Sequence, residues 1–598
     1  MGPGYQTRGM VADSQRWVNM YLEKVESGDD AAPGQKFCAR LSPGKKIFCS
    51  LGAPIACVAD SKASFYDPNI YLFFVMSGAT LYGIKATFAG DVDTGTWTGT
   101  GTAIGTFDQK IIQTTGGQLF PAQVIVISPV LLFVVANGKA WVAGFGDPLG
   151  SNALGAATGS GGAGYAVGDT FTVDGGVIPA QGVVNTVDGT TGAVLTYTIT
   201  YNGVGYSVGT GVTTTAAGAQ PGAGSGFSID ITSVGGAQWV IQQQTIPFGS
   251  AGDYINSATW MDSYVIISMA PNATDPLRRQ FFISGVNDPT TWSPLDFGTK
   301  EANSDPIMAV FAAYEILILF GSQTIELWQD TGQQLQTFQR VPGGGVIQNG
   351  LAETWAVAKM DNTVAWIGRD ERGQYTAWSL QGVTPVRISN HAVENAWANY
   401  NVAGMSCYSY SANGHFFLVV HFPIPDKTWV YDSTIGPQLG WHERASASGS
   451  TLHADKGRYY GFFPESLAIV GDYSNGNLYV QDQRYYDENG TGIPRIRSSP
   501  HVATGLNWNY FDLYRLHCTQ GSAPSGNTPT CNLEVSNDGG NTYGSLQTRN
   551  IGNTGQFTNM IEWRRQGRGR NRVVRWTMNE PMDFVLIDLY ADVSPGSG

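Results

Sequence analysis

Charge is scarce in this sequence. Asp, Glu, Lys and Arg supply 14% of its 598 residues, against about 25% in an ordinary globular protein. Aromatic residues reach 12%, with 16 Trp, so there is apolar surface to bury and general disorder is excluded. Long hydrophobic runs are also lacking. Those at residues 124–136 and 316–320 are too short or too interrupted to cross a bilayer, and no membrane insertion is expected. Residues 1–20 have no apolar core of the secretory kind, so no signal peptide is expected. The six cysteines (38, 49, 57, 407, 518 and 531) include no CxxC pair, which excludes a zinc knuckle or a dithiol redox motif. Six in so long a chain do not make a disulfide scaffold. They read as buried free thiols of a protein folded in a reducing cytoplasm. Cys518 and Cys531 flank a Gly/Ser/Pro loop, and their redox state stays open.

Catalytic signatures are missing too. The sequence contains no GxxxxGK[ST] and no HExxH, and its Gly-rich runs lack a strand–GxGxxG–helix context. The seven His (391, 415, 421, 442, 453, 501 and 517) are scattered. His415 and His421 flank an apolar run and read as sheet residues. No catalytic residue, cofactor or metal is expected, and the chain is not expected to be an enzyme.

What is present is β-sheet writing. The 77 glycines and many aromatics favour short strands, and the length points to three or four domains. Residues 281–328 spell out one unit: an apolar strand at 281–284, then a turn on Asn287, Asp288 and Pro289. Strand-like runs follow at 307–311 and 316–320, then a polar turn and alternation through Thr324, Ile325, Glu326, Leu327 and Trp328. Similar blocks recur at 71–84, 131–142, 254–284, 355–380, 405–441 and 459–480. Hairpin turns mark them at Asn137-Gly138, Gly321-Ser322, Arg372-Gly373, Asn413-Gly414 and Asn475-Gly476. A spacing of roughly 40–50 residues suits four-stranded propeller blades. The expected fold is all-β: a β-propeller of six or seven blades, an inserted small β domain and a C-terminal β-sandwich-like domain. A short helix is expected near residues 391–400.

The boundaries drawn from composition are 1–52 for an N-terminal arm and first strands, 53–146 plus 236–499 for the propeller, 147–235 for the inserted module, and 500–598 for the C-terminal domain. The module has no Lys or Arg and five Asp. Gly164-Tyr165-Ala166-Val167-Gly168 is echoed by Gly205-Tyr206-Ser207-Val208-Gly209, and Gly/Ser/Ala-rich linkers at 150–164 and 216–226 suggest a peripheral domain. C-terminal strands are expected at 512–519, 531–536, 556–564, 572–578 and 584–591.

Two local features bear on function. Ser536, Asp538, Gly540, Thr542 and Tyr543 fit an Asp-box, S-x-D-x-G-x-T-aromatic, a turn device found in glycan-degrading propellers. Arg564, Arg565, Arg568, Arg570, Arg572 and Arg575 form the one charge cluster. The region from His501 holds eight Arg against eight Asp or Glu. Arg568, Arg570 and Arg572 alternate and are expected to share a sheet face, as a contact for another subunit or a partner. The competing readings are a phosphate contact and a solvated sheet edge blunted by charge.

Several of these stretches together resemble the tail hub (nozzle) family of short-tailed bacteriophages, also called packaged-DNA stabilisation proteins. The resemblance rests on Ser14-Gln15-Arg16 with Val18-Asn19-Met20-Tyr21, on Ser284…Asp288-Pro289…Trp292, on Ala302…Asp305-Pro306-Ile307 and on Phe320-Gly321…Thr324 to Trp328. It continues through Arg369-Asp370…Gly373, Arg387-Ile388-Ser389…Glu394…Trp397, Trp429 to Asp432 with Gly440-Trp441, Asp538-Gly539-Gly540 and Trp563…Arg572. It does not cover the inserted module.

The resemblance implies a structural virion protein in the tail, assembled in the bacterial cytoplasm. Its partners would be its own copies in a ring, expected to be a hexamer, a portal-bound adaptor, and a tail fibre or spike protein. Double-stranded DNA would pass through the ring without sequence-specific binding. The ring would extend the DNA channel, retain the packaged genome and guide its exit. The net charge of −13 suits a wall that lets phosphates slide, and equally suits mere solubility. The alternative from another class is a glycan-binding or glycan-hydrolysing propeller.

Overall fold

The computed structural model describes residues 15–24, 37–60, 73–90, 95–107, 114–115, 118–119, 122–148, 160–216, 222, 224–247, 253–333, 337–343, 346–370, 372–463, 467–503, 507–522, 526 and 528–596. The start of the N-terminal arm and most of the two expected linkers lie outside them. Strands dominate; the described residues hold one α-helix, His391–Trp397, and one 3-10 turn, Leu277–Arg279. The helix falls where it was expected. Asn390 caps it, its side-chain oxygen accepting the Val393 N–H at 3.0 Å.

The chain forms two compact units, one of Ala56–Ala86 with Gly99–Thr299, the other of Met1–Ile55, Thr87–Thr98 and Lys300–Gly598. Up to Thr299 there are three four-stranded antiparallel sheets. They run Ile55–Asp60 to Thr96–Thr106, Gln123–Ser128 to Gln238–Gln243, and Ile255–Met261 to Asp288–Thr299. The Leu131–Ala136 and Lys139–Gly146 hairpin turns on Asn137 and Gly138, both at positive φ (52° and 71°), as a two-residue turn matched to strand twist demands. Inner positions are apolar throughout: Phe133, Val135, Val142, Ile267 and Phe282 are buried in one core.

The insertion builds its own six-stranded sheet, in the order Gly161–Ala163, Ser225–Ile231, Gly209–Ala216, Thr170–Val173, Ala180–Val187, Val194–Tyr201. Tyr165, Phe171, Tyr197 and Phe227 pack edge to face beneath it. Its two ends meet, the Gly235 N–H donating to Pro148 O at 2.8 Å. The module is not separate from its neighbour, however. Ile178 and Val204 are fully buried among Leu131, Phe133, Val142 and Ile255 of the adjoining sheets, and Gly144 has no room for a Cβ because Ile178 lies against it.

From Ile307 four further sheets follow. Three are built in chain order: Ile307–Ala313 to Phe338–Arg340, Gly350–Leu351 to Thr384–Arg387, and Ser406–Ala412 to Trp441–Ser448. The fourth takes Gly457–Phe463, Leu467–Asp472 and Asn477–Asp482 and receives its last strand, Gly44–Ser50, from the N-terminal segment, with Gly44 opposite Asp482 and Ser50 opposite Asn477. Seven antiparallel strand groups of propeller type are thus described, four of them separate four-stranded sheets and one completed by a strand from the N-terminal segment.

The C-terminal residues make a sandwich, and the N-terminal segment enters it too. Arg16–Val18 lies between Trp441–Ser448 and Arg495–Ser498, in the sheet that continues through Val573–Met578 and Thr530–Ser536. Met20–Lys24 and Phe37–Leu41 join the facing sheet with Leu586–Pro595, Asn509–Cys518 and Ile561–Arg564. Trp17, Met20, Leu22, Leu516, Trp563 and Trp576 fill the space between. The strand expected at 556–564 begins only at Ile561, because residues 551–560 form a loop instead.

Two stability outcomes follow. Asn19, at φ 57°, spans the switch between the two sheets. Its amide donates to Ala445 O and Pro494 O, both at 2.7 Å, and accepts the Ala445 N–H at 2.8 Å. Asn19→Ala strands three buried backbone groups and is expected to cost about 2–4 kcal/mol, read from a denaturant melt. Replacing residues 149–234 by a short Gly/Ser link is expected to leave a cooperative melt at lowered temperature. Ile178→Ala alone should reproduce about 2–4 kcal/mol of that loss; no change on Ile178→Ala would show that the module does not support its neighbour.

Candidate functional site

Several of the residues that carry the family-like wording fall at buried joints, among them Asp305, Thr324, Glu326, Glu394 and Trp441. Lys300, Asp305 and Thr324 form one. The Lys300 amine meets the Asp305 carboxylate and donates to Thr324 Oγ1 at 2.6 Å, while Asp305 Oδ2 accepts the backbone N–H of Gln323 (2.8 Å) and Thr324 (3.1 Å). Burial would push the Asp305 carboxyl up, but the Lys300 contact and the two N–H donors outweigh it and hold it below the usual range. Glu326 ties the next strand, accepting the Ala302 N–H at 2.7 Å and the Trp328 indole N–H at 3.1 Å. Gly321 is required here, since a Cβ would strike the Asp305 carboxylate and Thr324 O. Arg387, Ser389 and Glu394 lock the helix start in the same manner, with Arg387 Nε donating to Glu394 at 2.7 Å. The Trp441 indole donates to Ile388 O at 2.8 Å.

The densest of these joints centres on Lys45. It is 2% exposed and sits between Asp455 and Glu488, the latter at 2.9 Å. Arg444 stands behind, its Nε 3.7 Å from Asp455 and its guanidinium on the Tyr410 hydroxyl and ring. Burial alone would lower the Lys45 amine, yet Asp455 and Glu488 together raise it above its ordinary value. Asp455 is likewise held down by Lys45 and Arg444 against its own burial.

The Asp-box is a turn clamp. Asp538 accepts from the Ser536 hydroxyl (2.6 Å), the Thr542 hydroxyl (2.5 Å) and the backbone N–H of Thr542 and Asn541 (3.0 Å each). The Ser536 and Thr542 contacts hold its carboxyl well below the usual range. Tyr543 lies under the Arg575 guanidinium at 3.8 Å, which pairs with Glu534. The whole motif is accounted for by hairpin geometry.

The arginine cluster splits. Arg572 is 2% exposed, so it does not share a face with the other two. Its guanidinium donates to Asn537 Oδ1 (2.9 Å), Gln566 O (2.7 Å) and Arg568 O (2.9 Å) and lies over the Phe511 ring. Strand alternation fails because Arg568–Gly569 is a two-residue strand and Arg570 follows in a bend. Arg568 and Arg570 are exposed and both lie over the Trp508 ring, at 4.5 and 4.6 Å. Sequence reading missed Trp508, which stands sixty residues upstream of its partners. Arg564 is paired with Glu562, and Arg565 sits in a turn at φ 60°.

All six cysteines are free, and burial pushes the Cys518 and Cys531 thiols up to about 12. Among the described residues no group of three His, Cys, Asp or Glu is placed to hold a metal. Among the described residues no helix is long and apolar enough to cross a membrane.

Comparison with known proteins gives two family matches. Residues 182–486, just over half the chain, match the model described as bacteriophage P22 Gp10, beta-propeller, and residues 495–594 match that described as bacteriophage P22 Gp10, beta-sandwich. No curated protein matches the sequence. Among solved structures, the Neurospora crassa Pan2 WD40 domain is similar at 7% identity and TM-score 0.32, over 72% of this chain and 89% of that one. Trypanosoma rangeli sialidase in complex with sialic acid is similar at 8% identity and TM-score 0.24, over 97% and 95%. Overlaps this loose carry no argument.

Two predictions concern buried groups. Lys45→Met leaves Asp455 and Glu488 as buried acids without their amine and is expected to cost about 3–5 kcal/mol in an unfolding titration. His421 and His442 are pushed down to about 3 by burial, and neither Nε2 has a partner. Below pH 6.5 the unfolded chain takes up protons that the folded chain refuses, so stability is full above pH 6.5 and falls as pH drops toward 3. A His421→Gln, His442→Gln variant should lose stability less steeply between pH 6.5 and 4.

Proposed function

The chain belongs to the bacteriophage P22 Gp10 family of tail nozzle proteins, and from that premise we propose that it forms a closed ring in the virion tail. The ring has six copies, sits below the portal and its adaptor, extends the DNA channel, retains the packaged genome and guides its exit. Its outer surface offers docking to a tail fibre or spike, and assembly takes place in the host cytoplasm. The observation that carries this reading is the pair of family matches, over residues 182–486 and 495–594.

The chain's own chemistry supports it. A conduit has to surround DNA without gripping it, because each phosphate neutralised by Lys or Arg adds affinity through counterion release. Here the net charge is −13, and Lys45, Lys300, Arg444, Arg495 and Arg572 are all buried and so withheld from solvent. We take the insertion at 147–235, itself without Lys or Arg, as an outward-facing module rather than channel wall. The family is one of structural tail proteins, and the Asp-box needs no catalytic explanation.

Imaging of tails assembled with this chain is expected to show a closed ring with an axial channel; a single asymmetric copy, or a tail without a channel, overturns the reading. The isolated protein should bind duplex DNA weakly and without sequence preference. Tight binding that survives physiological salt would contradict a sliding wall.

A further inference from the structure

We propose that Arg568 and Arg570, stacked on Trp508, form a docking clamp for carboxylate side chains of a second copy of this chain. The proposal rests on the ring reading above and adds which surface joins the copies, and by what chemistry.

Both guanidinium groups are exposed and lie 4.5 and 4.6 Å from the centre of one indole. Their neighbours Arg515, Arg564 and Arg575 are each paired with a carboxylate, on Glu562 or Glu534. Among the described residues Arg568 and Arg570 have no such pair, and their guanidiniums lie over the Trp508 ring. They are also held in place. The buried Arg572 donates to Arg568 O, and the Phe511 N–H donates to Gly567 O at 2.8 Å. Gly569 is so close to the Asn537 amide oxygen that a Cβ would collide with it. Tyr510, 45% exposed, stands opposite Arg568 in the strand register. Trp508 is itself pinned, its carbonyl accepting the Gly596 N–H at 2.6 Å. An Arg–Trp–Tyr patch on fixed backbone has the composition of interface hot spots, and its groups are already ordered before a partner arrives.

The fork of a guanidinium fits carboxylate and phosphate alike, so the location of charge decides the occupant. Residues 501–598 carry eight Arg and eight acids and are neutral. The whole net charge of −13 therefore lies in residues 1–500, and a second copy presents an acidic body to the clamp. DNA would meet that acidic body on the same chain, with two guanidiniums to offset it. Two phosphate contacts contribute a salt slope of only about −2.

The test uses tails assembled with the full-length chain, imaged as wild type, as Arg568→Ala with Arg570→Ala, and as Arg568→Lys with Arg570→Lys. The melting temperature of each purified chain is measured alongside. Wild type should show rings with both guanidiniums against carboxylates of the adjacent copy. The Ala pair should lower the yield of complete rings by about tenfold or more, the effect of one lost hot spot, at unchanged melting temperature. The Lys pair should fall short of wild type too, since an ammonium has neither the fork nor the stack. It keeps the charge, so it remains informative should the Ala pair fold poorly. Rings at wild-type yield in the Ala pair overturn the clamp while leaving the ring reading intact; wild-type tails without any ring overturn that reading instead. Anisotropy with a labelled duplex forms the second arm. Duplex binding that the Ala pair abolishes, with rings intact, would assign the site to phosphate and overturn the proposal.

Discussion

The larger unit depends on one constraint: the strands Arg16–Val18 and Gly44–Ser50 have to pair with strands more than 400 residues further along the chain. Arg16–Val18 sits between Trp441–Ser448 and Arg495–Ser498, and Gly44–Ser50 completes the sheet of Asn477–Asp482. Hydrogen bonds of a β ladder are not selective by themselves, so something has to fix which strand arrives and in what register. Asn19 does this on one side, tying Ala445 and Pro494 with its amide. Lys45 does it on the other, where only an amine at that register meets both Asp455 and Glu488. Strand pairing over such separations is entropically late in folding, which places these two joints among the last native contacts to form.

The hairpins were legible in the sequence because their chemistry is local. Asn137-Gly138 and Asn413-Gly414 supply the two positive-φ positions that a short hairpin needs. The short helix expected near 391–400 is likewise local, held by its Asn390 cap. Other turns were hidden. Tyr314 and Glu315 both adopt left-handed backbone, at φ 52° and 62°, a conformation bulky residues rarely take. The flanking strands impose it, and those are not a property of the dipeptide.

What stayed illegible is what depends on distant residues. Lys45 and Lys46 are adjacent in sequence, yet the first is fully buried and the second exposed; only the arrival of Asp455 and Glu488 distinguishes them. Arg568, Arg570 and Arg572 look equivalent by alternation, yet Asn537 and Phe511 draw Arg572 inward and Trp508 holds the other two at the surface. The composition of the insertion gave no sign that Ile178 and Val204 reach into the neighbouring core.

The scarcity of charge takes on meaning from where the charges went. Lys45, Arg444, Asp455 and Glu488 lie in one buried joint, Lys300 and Asp305 in a second, and Glu326, Glu394 and Asp432 in others. A buried ion pair adds little net stability over an apolar replacement of the same shape, so stability alone does not account for them. Seven similar antiparallel strand groups pose a different problem, since one apolar face fits another almost as well as its proper neighbour. A cation that finds its carboxylates at a single register penalises every wrong pairing by a full desolvation cost. Spending the few charges on register leaves a surface of hydroxyls, amides and glycine with an acidic balance. Such a surface suits a structure that DNA passes without being held.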